Sequence, residues 1–208
     1  MLRQRRLKRA FYQRDAVTVA RDLLGSVLVF APTGEAPRAA RIVETEAYGG
    51  PEDRACHASR GLTKRTKTLL GPAGRAYIYL IYGMYDCFNV VCGGEGQRGH
   101  AVLVRGVEPL LGIDHHARTD GPGRLSMAYG LTRTWDAKSL LSRELFLANG
   151  DPPAAIEASP RVGVAYAGEH AERPWRFFDP DSTHVSRPTN KSLGLGGVVV
   201  RLREAAES

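Results

Sequence analysis

Three apolar segments in a short span limit the folds open to this chain more than any other feature. AYIYLIY (76–82), CFNVVC (87–92) and the start of HAVLVRGVEPL (100–110) are rich in aromatic and branched residues. The links between them, GMYD and GGEGQRG, are glycine-bearing turns. Extended segments joined in this way predict an antiparallel meander. Upstream, AVTVARDLL (16–24) has helix-spaced apolar residues and a stop at Gly25. SVLVFA (26–31) and ARIVETEAY (40–48) read as strands around a turn containing Pro32, Gly34 and Pro37. Helical stretches are predicted near 64–70, 108–118 and 121–129, and late strands at 161–168 and 175–178. Residues 135–160 fit no single pattern. With no repeat and no linker, the expectation is a basic arm over 1–10 followed by one α+β domain over 11–208, built on an antiparallel sheet.

The segment RIVETEAYGGPED (41–53) raises a chemical question. In an extended strand, residues 42, 44, 46 and 48 share a face, which aligns Glu44, Glu46 and Tyr48. Buried carboxylates are costly unless paired or used in chemistry. The bland alternative is a solvated face.

Charge gives the partner class. The chain has 29 Lys+Arg against 22 Asp+Glu, a net charge of +7 and a pI near 9.6. A basic surface points to a polyanion, most commonly nucleic acid. The cations cluster at Arg3, Arg5, Arg6, Lys8 and Arg9, and again at Arg60, Lys64, Arg65 and Lys67. Tyr48, Tyr77, Tyr79, Tyr82 and Tyr85 fall among them, and cations interleaved with aromatics suit a protein that stacks bases. Parity puts Tyr77 and Tyr79 on one face and Tyr82 at a hairpin tip; packing is the favoured role for Tyr77. No apolar run is long enough to span a bilayer. The basic N-terminus lacks a secretory apolar stretch. The odd cysteine count (Cys56, Cys87, Cys92) argues for free thiols in a reducing compartment. Cys56, His57, Cys87 and Cys92 lack C-x-x-C spacing, so no metal site is expected.

RIVETEAYGGPED, the histidine of ACHA, YIYLIYGMYDCFNVV and AVLVRGVEPLLG, in that order, resemble the alkyladenine (3-methyladenine) DNA glycosylase family. GPGRL (121–125), RVGVAYAGE (161–169) and FYQRDAVTVARDLLGSVLV extend the similarity from about Phe11 to about Phe178. The resemblance implies a compact α+β domain with a curved antiparallel sheet, a formyltransferase C-terminal-domain-like open barrel with surrounding helices. It also implies roles. Glu46 is the general base that activates water, Arg105 helps hold that water, and the Val162 backbone contacts it. Tyr48 and Tyr79 stack on an extruded base, His57 packs against it, and Asn89 lies near its C2 edge. Tyr82 is the wedge that enters the duplex, with Met84 and Tyr85 touching DNA beside it. Arg60, Lys64, Arg65 and Lys67 are candidate phosphate contacts. Glu44 has no family role and is expected to be a structural or solvent-facing partner to an arginine.

The implied reaction is hydrolysis of an N-glycosidic bond without cofactor or metal. A carboxylate behind C1′ would stabilise oxocarbenium character and deprotonate water. The base must be flipped out and its place filled. Electron-rich faces of Tyr48 and Tyr79 would favour a cationic alkylated purine. The implied partner is double-stranded DNA containing damaged purines, handled by a monomer at no membrane, in a bacterial cytoplasm at the nucleoid or in a eukaryotic nucleus. A non-catalytic nucleic-acid-binding domain and a hydrolase of free nucleosides are the alternatives. The first has no use for a carboxylate facing a polyanion; the second has none for the Tyr82 wedge and the basic loops.

Overall fold

The computed structural model describes residues 5–186 and the strand at 200–202. Two short helices open the chain, α1 (Arg9–Tyr12) and α2 (Ala16–Asp22). Asp15 caps α2 by accepting from the Thr18 amide, and Ala16, Val19, Ala20 and Leu23 bury one face. The helix stops before Gly25, whose φ of +84° is easy for glycine and whose missing Cβ leaves room for the Asp151 carbonyl. Of the predicted basic arm, residues 5–10 lie against the domain: Leu7 is buried and its amide donates to Leu147 O.

The strands are β1 (Val27–Phe30), β2 (Arg38–Gly49), β3 (Ala76–Ile81), β4 (Tyr85–Cys92), β5 (His100–Leu111), β6 (Leu145–Ala148), β7 (Ile156–Ser159), β8 (Arg176–Phe178) and β9 (Val200–Leu202). All pairings are antiparallel, in the order β3-β4-β5-β2-β8-β7-β9, with β1 bridging β2 and β6. The predicted meander is β3-β4-β5. The domain is α+β, with one curved antiparallel sheet and few helices. Its main core joins one face of the sheet to α2 and to α3 (Pro122–Tyr129), through residues such as Leu23, Phe88, Val104 and Tyr129.

Two of the three irregularities in the pairing of β2 with β5 compensate each other. Ile42 faces Val107 and Glu44 faces Gly106, so Val43 is an extra residue in β2. Thr45 then faces Val104, so Arg105 is an extra residue in β5. These are β-bulges, which re-aim side chains. The face assignment for β2 therefore needs correction. Ala40 and Ile42 belong to the main core, but so does Ala47, and Thr45 Oγ1 donates to Ala20 O of α2. Ile42 does not share a face with Glu44, Glu46 and Tyr48.

Other expectations fail for local reasons. Residues 108–118 do not form a helix, because β5 continues to Leu111 opposite Ala39 and ends at Gly112, φ +65°. Residues 64–70 form turns with only two helix-like bonds, Lys67 N to Thr63 O and Leu70 N to Thr66 O. RVGVAYAG is not a strand: Gly163 and Gly168 have positive φ, and Ala165–Ala171 form a kinked 3₁₀ segment. The undecided stretch 135–160 supplies β6 and β7.

Candidate active site

The face of the sheet away from the main core lines a cavity of about 350 Å³, within the range of small-molecule sites. Tyr77 and Tyr79 from β3, Cys87 and Asn89 from β4, and Leu103 and Arg105 from β5 build its floor. His57 and Arg65 come from the loop after β2, and Val162, Val164 and Tyr166 from the segment after β7. Tyr48 lies at the end of β2, and Tyr82 at the tip of the β3–β4 hairpin.

Glu46 has 0% exposure and lies just behind this lining. Its Oε1 accepts from the Val162 amide at 2.7 Å and lies 3.4 Å from Arg105 Nη1. Its Oε2 accepts from the Tyr48 hydroxyl at 2.8 Å. A buried carboxylate with three polar neighbours avoids most of the cost of burial and stays fixed in orientation. The resemblance implies that the Val162 backbone contacts the water, and the amide of Val162 also holds the carboxylate. Burial and the Glu46 charge push the Tyr48 hydroxyl well above the ordinary tyrosine range, so it remains a donor.

Glu44 is not solvent-facing. Arg105 Nε donates to its Oε1 at 3.0 Å and Arg176 Nε at 2.6 Å. Ser186 adds its hydroxyl and its amide, both at 2.7 Å. Burial alone would raise the Glu44 carboxyl, but Arg105, Arg176 and Ser186 outweigh it and hold it below the usual range. Arg105 is thus shared by two carboxylates, and these keep its guanidinium charged despite burial.

The aromatic walls are equally fixed. His57 Nδ1 shares a hydrogen bond with the Tyr77 hydroxyl at 3.0 Å, and its ring meets Tyr79 edge-on at 4.6 Å. Burial first, then Arg65 and Arg60, lowers His57 to about 4, so the imidazole is neutral near pH 7. Asn89 Nδ2 donates to Tyr77 O at 3.1 Å and Cys87 O at 3.0 Å, which sets its rotamer.

Tyr82 is 82% exposed and has φ +53°, a left-handed conformation uncommon outside glycine. Gly83 follows at φ +71° and Met84 is exposed. Tyr85 is half-buried against α3: a Cβ on Gly123 would come within 2.8 Å of it, so the first turn of α3 needs glycine there. Arg60, Lys64, Arg65 and Lys67 are all exposed, and only Arg65 borders the cavity.

Two features escaped the sequence reading. Arg161 and Asp53 form a buried ion pair, with Arg161 Nη2 at 3.0 Å from Asp53 Oδ1. Arg161 also donates to Ala47 O at 2.9 Å and His170 O at 2.8 Å. It thereby ties the end of β2 to the loop bearing His57 and to the segment bearing Val162. Tyr166, 65% exposed, stands at the cavity rim with its hydroxyl donating to Ala55 O. Both lie inside motifs quoted above, but nothing in the spacing marked them. Cys56, Cys87 and Cys92 are free and buried. Among the described residues, the grouping of three metal-type side chains within ligating reach of one another is Asp114, His115 and His116, all exposed.

The sequence pattern of the family described as methylpurine-DNA glycosylase matches residues 10–183. A relative from Myxococcus xanthus (strain DK1622), named "Putative 3-methyladenine DNA glycosylase", is 52% identical over 183 residues, covering 87% of this chain and 93% of its own. Relatives of the same name from Legionella pneumophila (strain Corby) and Methanocella arvoryzae are 48% and 46% identical, covering 88% and 87% of this chain and 99% and 96% of their own. With matches over most of its length, the chain belongs to the methylpurine-DNA glycosylase family, and it is a DNA glycosylase, a hydrolase.

Proposed function

We propose that this chain is a monofunctional glycosylase that flips alkylated or deaminated purines (3-methyladenine, 7-methylguanine and hypoxanthine class) out of duplex DNA and hydrolyses their N-glycosidic bond. The observation that carries this reading is a buried Glu46 held by Val162, Arg105 and Tyr48 behind an aromatic cavity. Arg60, Lys64, Arg65 and Lys67 draw the phosphates to the mouth. The Tyr82 side chain, presented outward by its turn, fills the space left by the extruded nucleotide. The base enters between Tyr48 on one side and His57 with Tyr79 on the other, with Asn89 at its C2 edge.

A water between Glu46 and C1′ then loses a proton to the carboxylate as its oxygen bonds to C1′. The C1′–N bond breaks and its electrons leave with the purine. The negative charge of Glu46 stabilises the oxocarbenium character at the sugar. Arg105 is fixed by Glu44 and so can hold the water and the carboxylate together. Among the described residues, no lysine borders the cavity, which supports water as the nucleophile and an abasic site as the product. The protein works as a monomer on duplex DNA, and among the described residues no helix is long and apolar enough to cross a membrane.

The test is incubation with an end-labelled duplex carrying one hypoxanthine, followed by hot alkali. Cleavage at that position after alkali, and not before it, is expected. An intact strand after alkali removes the proposal.

A further inference from the structure

The aromatic walls of the cavity are already occupied by cations. The Arg161 guanidinium lies 4.9 Å from the Tyr48 ring centroid. Tyr48 borders the cavity and the fully buried Arg161 does not, so the cation sits behind the ring. A charge there draws π density toward itself and leaves the cavity side of the ring poorer. Across the cavity, the Arg65 guanidinium lies 5.8 Å from the Tyr79 centroid and itself lines the space a base would enter. Both rings proposed to stack on the base are therefore committed to arginines.

The neighbouring charges do not reverse this. Glu46 is engaged by Arg105, Glu44 by Arg105 and Arg176, and Asp53 and Arg161 compensate each other, which leaves Arg65 as the cation that decides the field in the cavity. Arg65 directs its guanidinium to the Leu80 carbonyl, a neutral acceptor. His57 experiences the same field, since Arg65 and Arg60 add to burial in keeping its ring neutral.

We infer that this cavity favours electrically neutral purines, such as hypoxanthine, over cationic N-alkylated purines, such as 7-methylguanine, and that Arg65 is the main discriminating residue. The inference rests on the glycosylase reading above. It runs against the expectation that electron-rich tyrosines select a cation.

The test uses two duplexes identical except for hypoxanthine or 7-methylguanine at one position. Single-turnover release is measured at enzyme concentrations that saturate each protein. Comparing the ratio of the two rates between variant and wild type cancels both DNA affinity and the intrinsic lability of each base. Arg65→Gln should raise the 7-methylguanine to hypoxanthine ratio roughly 3- to 10-fold, and Arg65→Glu should raise it further. Arg65 is exposed, so neither change threatens the fold. An unchanged ratio in both variants, with both bases still released, overturns the inference and leaves the glycosylase reading standing. Release of neither base by the wild-type protein removes that reading and the inference with it.

Discussion

The Tyr48 hydroxyl donates to Glu46 Oε2 at 2.8 Å. The residue proposed to stack on the base and the residue proposed to activate water therefore move as one unit, and a base lying on Tyr48 is registered against the carboxylate. Glu46→Gln tests the chemistry without dismantling this unit. The amide oxygen can keep the Val162 N–H, and the amide NH₂ can turn to the Tyr48 oxygen. Lesion binding by gel shift should stay close to wild type. Single-turnover base release should fall by at least ~10²–10⁴-fold, the usual worth of a general base. Release within a few-fold of wild type would place the base elsewhere.

Tyr82 should separate stability from function. Its left-handed conformation costs about 1–2 kcal/mol in a non-glycine residue. Tyr82→Gly relieves that strain, although added freedom in the unfolded chain returns ~0.5–1 kcal/mol. Urea unfolding should show stability equal to wild type or up to ~1.5 kcal/mol higher. Affinity for lesion duplex should nevertheless drop more than affinity for undamaged duplex, since a wedge acts only on an extruded nucleotide. Equal losses on both duplexes would make Tyr82 a general DNA contact.

Salt should report on the basic loop. Each phosphate contact contributes about 0.9 to the slope of log affinity against log salt. Lys64 and Lys67 are exposed, so a Lys64→Ala, Lys67→Ala double variant should fold normally. Its slope should be shallower by roughly 2, measured by fluorescence anisotropy on undamaged duplex. Parallel lines for the two proteins would identify these lysines as solvated surface.

Asn89 should control rejection of guanine, which differs from hypoxanthine only by its 2-amino group. Two backbone carbonyls hold its amide nitrogen, so the side chain cannot swing aside. Asn89→Ser shortens the side chain, opens the 2-position and should raise guanine release relative to hypoxanthine release. Both are measured by single turnover opposite thymine. The barrier removed is of the size of an unpaired buried polar group, ~1–3 kcal/mol.

Asp53 should make the fold acid-sensitive. Burial raises its carboxyl, but Arg161 and the Gly49 and Ala55 amides outweigh burial and hold it below its unfolded value. A depressed carboxyl stabilises above the unfolded pKa of ~3.9, and that stability is lost as pH falls through the folded value. Asp53→Asn leaves Arg161 uncompensated and should cost about 3–5 kcal/mol near pH 7. The gap between variant and wild type should close below pH ~4, followed by urea unfolding across pH. A constant gap would mean that the charge of Asp53 is immaterial.

The sheet was legible in the sequence because its signals are local. β-branched and aromatic runs between glycines gave β1 through β5 to within a few residues, and helix-spaced apolar residues with a stop at Gly25 gave α2 to within two residues. The aromatic wall also followed from parity, which put Tyr77 and Tyr79 together. What was hidden depends on partners distant along the chain. The pairing of Arg161 with Asp53 spans 108 positions, and that of Arg176 with Glu44 spans 132. Neither leaves a periodic trace. RVGVAYAG alternates like a strand, and only the φ values of its glycines show otherwise.

The two bulges act like a dislocation with its complement in a crystal row. Before Val43, the even-numbered side chains of β2 belong to the core; after it, the odd-numbered ones do. Arg105 introduces the same half-step into β5, so pairing resumes unchanged beyond it. If Val43 took a regular place in the ladder, alternation would run straight through and turn Glu44 and Glu46 into the hydrocarbon interior and Thr45 and Ala47 into the cavity. The same extra residues that bring the carboxylates to the cavity keep them out of the core, and because each strand carries one, the ladder stays in step on both sides.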